Sequence, residues 1–164
     1  MDTAFALLFL ARSNLLGSLV EATFVPPFIP PVKRPIQPRE AAKEILAKLL
    51  AAPQNKRPEF LEQLQSGRGN AFTDALVDAI PQLPDEKSKE LARQALVQRF
   101  VRFKPTVLYD YMQDNERELR LAAVIAIRVK NDNAQAERHV IVLLADSDPK
   151  VAAAAMETLR ALKK

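Results

Sequence analysis

Residues 148–162 read DPKVAAAAMETLRAL, with four consecutive alanines one turn into an apparent helix. Asp148 stands where a cap is wanted and Pro149 takes the first helical position, where a missing N–H costs nothing. An alanine run at such a place is either filler or a face that another helix approaches closely. Sliding the chain on itself by 32 residues decides between them. LYDYMQDNERELRLAAVIAI (108–127) then falls on VIVLLADSDPKVAAAAMETL (140–159). Asp114 lies on Asp146, Leu119 on Val151, Ala122 and Ala123 on Ala154 and Ala155, and Ile127 on Leu159. A fainter copy 28 residues earlier puts Leu91 and Ala95 on Leu119 and Ala123. A helix–turn–helix unit recurring at this period signals stacked repeats. Small residues recur where helices pack at short interaxial distance. The run is a packing face.

The rest of the chain uses the same palette. With 3 glycines, no tryptophan and abundant Ala, Leu, Glu, Gln, Lys and Arg, its 164 residues favour helices over sheets. A formal charge of +4 is compatible with an acidic partner but is far from a dedicated nucleic-acid binder. The absence of cysteine excludes disulfides, thiolate metal sites and cysteine nucleophiles.

Three regions follow from the pattern: an apolar helical segment over 1–24, a proline-rich linker over 25–38 and a helical body over 39–164. The first, MDTAFALLFLARSNLLGSLVEATF, has too short an apolar run to span a bilayer and starts with Asp2 where a signal peptide carries Lys or Arg. It reads as an amphipathic docking helix that must bury Phe5, Leu8 and Phe9. The linker, VPPFIPPVKRPIQP, is expected to run as stiff polyproline II. In the body, Ala41, Ile45, Leu49 and Ala52 mark one face of the first helix. SGRGN (66–70) is read as a turn rather than a phosphate cradle, because no strand precedes it and no Lys-Ser/Thr follows. Asp85 is expected to cap one helix, Asn115 with Glu118 and Asp132 with Gln135 to form capping boxes. Between Glu116 and Lys130, Leu119, Ala122, Ala123 and Ala126 share one face while Leu121 and Ile125 point almost oppositely. A helix apolar on two sides is sandwiched between neighbours.

Asp114, then Leu119-Arg120, then Ala123 and Ile127, resembles the HEAT-repeat signature. In that family an Asp in the intra-repeat turn and an Arg early in the second helix form a ladder between units. Here the ladder arginine is Arg120, and its counterparts in the flanking units are Ala92 and Ala152. The resemblance extends over residues 71–164, with 39–66 as a degenerate first unit. It implies an all-α, right-handed solenoid of three to four helix pairs. LRLAAVIAIRVKNDNAQAERHVIVLLADSDPKVAAAAMETLRALK further resembles the C-terminal HEAT modules of large bacterial multidomain proteins. There such modules follow an α/α-toroid domain of the prenyltransferase and squalene-cyclase type, and TAFALLFLARSNLL resembles the closing segment of that toroid. The chain is therefore expected to be the C-terminal part of a longer protein.

Chemistry is sparse. His139 is the one histidine, and a metal site needs three or four convergent ligands. No nucleophile elbow is present, and the carboxylates are spread over caps and surfaces. Tyr109, Tyr111, Phe100 and Phe103 read as packing residues. The candidate interaction surface is basic: Arg117, Arg120 and Arg128 lie on one side of their helix, with Lys89 and Arg160 at the repeat-related positions. Interleaved Glu90, Glu116, Glu118 and Glu157 make a salt-bridged surface the competing reading. The expected function is a non-enzymatic protein–protein interaction or scaffold module, without cofactor, metal or membrane span. Its partner is a protein or a neighbouring domain of the same parent chain. The alternative is nucleic-acid backbone binding through the arginine stripe. An enzyme of the HEAT-like DNA glycosylase kind would need a buried acid and stacking aromatics that this pattern does not supply.

Overall fold

The computed structural model describes residues 38–130 and 133–162, which belong to a compact unit formed by residues 36–164. The described residues are all-helical, without a strand. In chain order the helices are α1 Pro38–Ala51, α2 Arg57–Ser66, α3 Asn70–Gln82, α4 Glu86–Phe100, α5 Pro105–Tyr111, α6 Arg117–Lys130, α7 Asn133–Val142 and α8 Pro149–Leu162. A 3-10 turn, Leu143–Ala145, prolongs α7. The apolar segment carrying Phe5, Leu8 and Phe9, most of the proline-rich stretch and the Asp132 cap lie outside the described residues.

Successive helices pack in pairs, α1 on α2, α3 on α4, α5 on α6 and α7 on α8. Across the pairs, α2 packs on α4, α4 on α6, and α6 on α8, while α1 packs on α3. The even-numbered helices run parallel, as their side-chain contacts require. Near their starts Arg57 reaches Asp85 and Ser88, and near their ends Arg99 reaches back to Gln65. Arg93 of α4 meets Glu118 of α6, while Lys130 at the far end of α6 reaches the Val101 carbonyl. Arg117 lies against Asp148, and Thr158 Oγ1 approaches the Val124 carbonyl.

The alanines do what their recurrence implies. Ala123, Ala126 and Ala155 are fully buried, and Ala122 and Ala154 nearly so, in the helix-packed core. Ala152 is half-buried and Ala153 exposed, so only one side of the run is a contact face. The buried hydroxyl of Thr158 is satisfied within its own helix, donating to the Ala154 carbonyl at 2.8 Å.

An arginine from each of α2, α4 and α6 spans to an acid at the start of the next even-numbered helix. Arg57 pairs with Asp85, the N-cap of α4, whose Oδ1 also accepts the Ser88 N–H at 2.8 Å. Arg93 Nε lies 3.3 Å from Glu118 in the first turn of α6. Arg120 grips Asp146 with two bonds, 2.8 Å from Nε and 2.9 Å from Nη2. The same Arg120 donates to the carbonyls of Asp114 and Asn115 at 3.0 and 2.9 Å. The interruption expected at Ala92 is therefore bridged by Arg93, one residue along. The expected Asn115–Glu118 capping box is corrected: Glu118 is buried and turned toward Arg93 and Arg117, and Asp114 Oδ1 accepts the Glu116 N–H instead. Asp148 does cap α8, accepting from Lys150 N at 2.8 Å.

SGRGN is a turn between the first and second pairs, closed from within by an arginine near the end of the second. Arg99 is buried, with its Nη1 donating to the Gln65 carbonyl at 3.1 Å and to that of Gly67. Its Nη2 donates to the Gly69 carbonyl at 2.6 Å and its Nε to Thr73 Oγ1 at 2.9 Å. The loop aims carbonyls inward, the polarity that suits a cation and not a phosphate. Gly69 has φ of 99°, which L side chains rarely adopt. A Cβ at Gly67 would meet the Phe72 ring at 2.2 Å.

Replacing the fully buried Ala123 or Ala155 by Leu overpacks the helix-packed core and lowers stability by about 1–3 kcal/mol, read by urea unfolding; unchanged stability in both variants places these alanines in solvent. Arg99→Met strands the Gln65, Gly67 and Gly69 carbonyls and is expected to cost at least about 1–3 kcal/mol. Its hydrogen-exchange signature is lost protection at Phe72 and Thr73 before α8 is affected; uniform loss across all helices contradicts the local cage. Asp146 is held below the usual carboxylate range by its hydrogen bond with Arg120, and Asp85 by the Ser88 N–H. Depressed folded-state values mean stabilisation that is complete above the unfolded pKa of about 3.9 and is lost as pH falls below it. Asp146→Asn therefore lowers stability at pH 7 by about 1–3 kcal/mol and flattens the acid limb of the stability curve; parallel acid limbs for the variant and the parent contradict the pairing.

Candidate functional site

On α4, Ala92, Ala95, Leu96 and Arg99 face inward, which leaves Gln94 and Gln98, one turn apart, exposed. On α6 the same geometry puts Leu121 and Ile125 one turn apart and half-buried, opposite the alanine face. Between the two helices lies a cleft of about 410 Å³. Its floor is Val97, Leu121 and Ile125 over the buried Leu96 and Ala122. Its rim carries Glu90, Gln94 and Gln98 from α4 and Arg128 from α6, and the Arg93–Glu118 pair closes one end. Gln94 and Gln98 also border a second cleft, about 320 Å³, between α2 and α4, where Pro58, Leu61, Leu91 and Ala95 supply the apolar surface. The two glutamines form a polar ridge between two apolar troughs.

The cations of the basic stripe divide in a way their spacing does not disclose. Arg120 is mostly buried, its side chain 13% exposed, and is occupied by Asp146 and two loop carbonyls. That bidentate contact raises its pKa. It holds the fold together and does not belong to an outward stripe. Arg117 Nε lies 3.2 Å from Asp148 Oδ2 without a hydrogen-bonding angle, so this contact is Coulombic, and Arg117 Nη2 lies 3.5 Å from Glu118. Lys89 stands 3.9 Å from Glu86 and shares a surface hollow with Arg93 and Arg117, the proximity its repeat offset implies. Arg128 pairs with Glu157 of α8. Arg160 is exposed and carries no ion pair among the described residues. Four of the five cations are thus matched by carboxylates.

Arg93 was not singled out by its spacing, yet it organises one end of the cleft. Burial works against its charge, and Glu86 at 3.1 Å with Glu118 at 3.3 Å outweighs that cost, so its pKa rises. Glu86, in turn, is held below the normal range chiefly by its bond from Arg93.

The remaining candidates pack. His139 is expected to be solvated or to cap a helix; instead its ring stacks on Tyr109, centroids 4.1 Å apart and planes within 4°, and joins α7 to α5. Phe100, Phe103 and Tyr111 form one aromatic cluster, with Phe100 fully buried and 4.7 Å from Tyr111 between centroids. Burial raises the Tyr111 pKa. Among the described residues, no group of three or more His, Asp or Glu side chains is placed to hold a metal ion, and no helix is long and apolar enough to cross a membrane.

No protein-family model matches the chain, and neither a curated protein nor a solved structure matches it.

Proposed function

We propose that this chain is a non-enzymatic protein-docking module, built as a right-handed, HEAT-like stack of four helix pairs and working within a larger protein. The observation that carries the reading is the pair of apolar troughs on either side of the Gln94–Gln98 ridge. The parallel contacts of α2, α4, α6 and α8 and the arginine-to-acid rungs between them support the solenoid half of it. Repeat stacks present one continuous surface made from successive helices, which suits binding by an extended partner. Half-buried Val97, Leu121 and Ile125 beside exposed amides make the mixture of apolar centre and polar rim usual at protein contacts. The matched cations of the stripe favour this reading over backbone binding to nucleic acid, which draws on unpaired Lys and Arg.

A photo-crosslinking amino acid at position 94 or 98, compared with one at Thr106 outside the clefts, tests the proposal in cells of the source organism. Discrete protein adducts from 94 and 98 and none from 106 are expected. Adducts to nucleic acid from the cleft positions replace the reading with backbone binding, and equal labelling from all three positions removes the cleft as the docking surface.

A further inference from the structure

Six large apolar side chains are exposed among the described residues, and four of them, Ile141, Val142, Leu144 and Met156, belong to the last helix pair and its 3-10 turn. The 32-residue offset shows what three of these positions do one pair earlier. Ile141 falls on Tyr109 and Leu144 on Met112, which line the hollow where α5 meets α7. Met156 falls on Val124, which lies on α6 between Arg117 and Arg128, the residues that reach Asp148 and Glu157 of the following pair. Tyr109, Met112 and Val124 are 6%, 2% and 0% exposed, whereas Ile141, Leu144 and Met156 are 52%, 41% and 48% exposed. Leu159 is likewise half-buried where its counterpart Ile127 is fully buried. The outward face of α7 and α8 therefore repeats, position by position, the side of α5 and α6 that receives the next pair.

Two observations say what fits this face. The rungs stop at α8: the positions matching Arg120 and Arg93 are Ala152 and Ala153, so α8 has no guanidinium there to fix a further parallel helix. The first pair, in contrast, is polar on its exposed side. α2 exposes Glu59, Glu62 and Gln63, and no large apolar side chain of α1 or α2 is exposed. Copies of the chain therefore gain little by joining end to start. Two apolar ends can meet about a two-fold axis, the self-matching arrangement of most dimers. With α8 antiparallel to its counterpart, the register that sets Met156 over Ala152 also sets Arg160 over Asp148. The small side chains of Ala152 and Ala153 leave room that an unbranched thioether fills well. Arg160 is exposed and carries no ion pair among the described residues, while Asp148 is still partly exposed beside Arg117. The antiparallel arrangement also opposes the two helix dipoles.

We infer that the α7–α8 face is a self-association surface, through which two copies of this chain join about a two-fold axis with α8 antiparallel to α8. Met156 of each copy seats on Ala152 and Ala153 of the other, and Arg160 of each comes to Asp148 of the other. Ile141 and Leu144 extend the apolar contact on both sides of the axis. One face of one helix pair makes a contact at the small end of specific interfaces, so association is expected at micromolar and not nanomolar concentration. The surface is separate from the clefts beside Gln94 and Gln98, and the inference does not depend on the docking function proposed for them.

Sedimentation velocity of the full chain over about 1 to 500 µM is expected to pass from monomer to dimer and stop there, because a two-fold contact closes on itself. Met156→Lys is expected to raise the dissociation constant at least about tenfold, since the axis brings the new charge into the apolar contact twice. Ile141→Glu changes another exposed position and gives the same readout if Met156→Lys misfolds, with circular dichroism reporting helix content for both. The chain contains no cysteine, so introduced thiols report contacts without background. An equimolar mixture of Ala152→Cys and Met156→Cys chains is expected to form the mixed disulfide in preference to either like pair. Glu59→Cys, at the polar start of the array, is expected to form none with Met156→Cys. A monomer at every concentration, a dimer indifferent to both charge variants, or growth beyond the dimer overturns the inference. A disulfide between the Met156→Cys and Glu59→Cys chains overturns it as well, since that pairing means end-to-start joining.

Discussion

Four helices running the same way in one layer bring four positive amino ends to one side, and that alignment is unfavourable unless each end is offset. The sequence meets the constraint with acids at those ends, Glu59 in the first turn of α2, Asp85 at α4, Glu118 at α6 and Asp146 with Asp148 at α8, and ties Asp85, Glu118 and Asp146 back to the preceding helix through Arg57, Arg93 and Arg120. Each rung both neutralises an amino end and fixes the register of the next helix. Close approach is the other half of the requirement. Ala122, Ala123, Ala126, Ala154 and Ala155 are buried as small residues in the core of the stack, where the Arg120–Asp146 contact has two-bond geometry.

Much of this was legible because it repeats. The 32-residue offset carries Asp114 onto Asp146 and one alanine pair onto the other, and local caps such as Asp85 and Asp148 are readable from neighbours in sequence. What the sequence could not show are contacts that depend on where a different helix lies. Glu118 has the spacing of a capping box, yet a buried carboxylate goes to the guanidinium that packs over it, and Arg93 is that guanidinium. The rung donor shifts from the expected 92 to 93 because α4 has to place Ala92 inside. Arg99 gives no motif at all; its partners are loop carbonyls 30 to 34 residues back, which no periodicity encodes.

The cleft was half legible. Leu121 and Ile125 were visible as a second apolar side of α6, and burial between neighbours was the natural expectation. Whether such residues vanish into a contact or line a trough depends on what faces them, and across from them α4 presents exposed Gln94 and Gln98. The basic stripe shows the converse. Its cations do cluster along one side, but Arg120 is structural and Arg117, Arg128 and Lys89 have acids beside them. Like-signed residues on a helical wheel measure charge only when the neighbouring helices are known.

The guanidinium cage around SGRGN bears on how the chain is made. The turn that joins α2 to α3 takes its interior hydrogen bonds from Arg99, near the end of α4. During synthesis the turn between the first and second pairs therefore emerges without the group that closes it, and its carbonyls stay with water until the next thirty or so residues have followed. The first two pairs then become native together, as one cooperative step in the growing chain. A chain cut after α3 lacks not a helix at its edge but the keystone of an earlier turn, so the smallest self-sufficient piece of this stack is two pairs and not one.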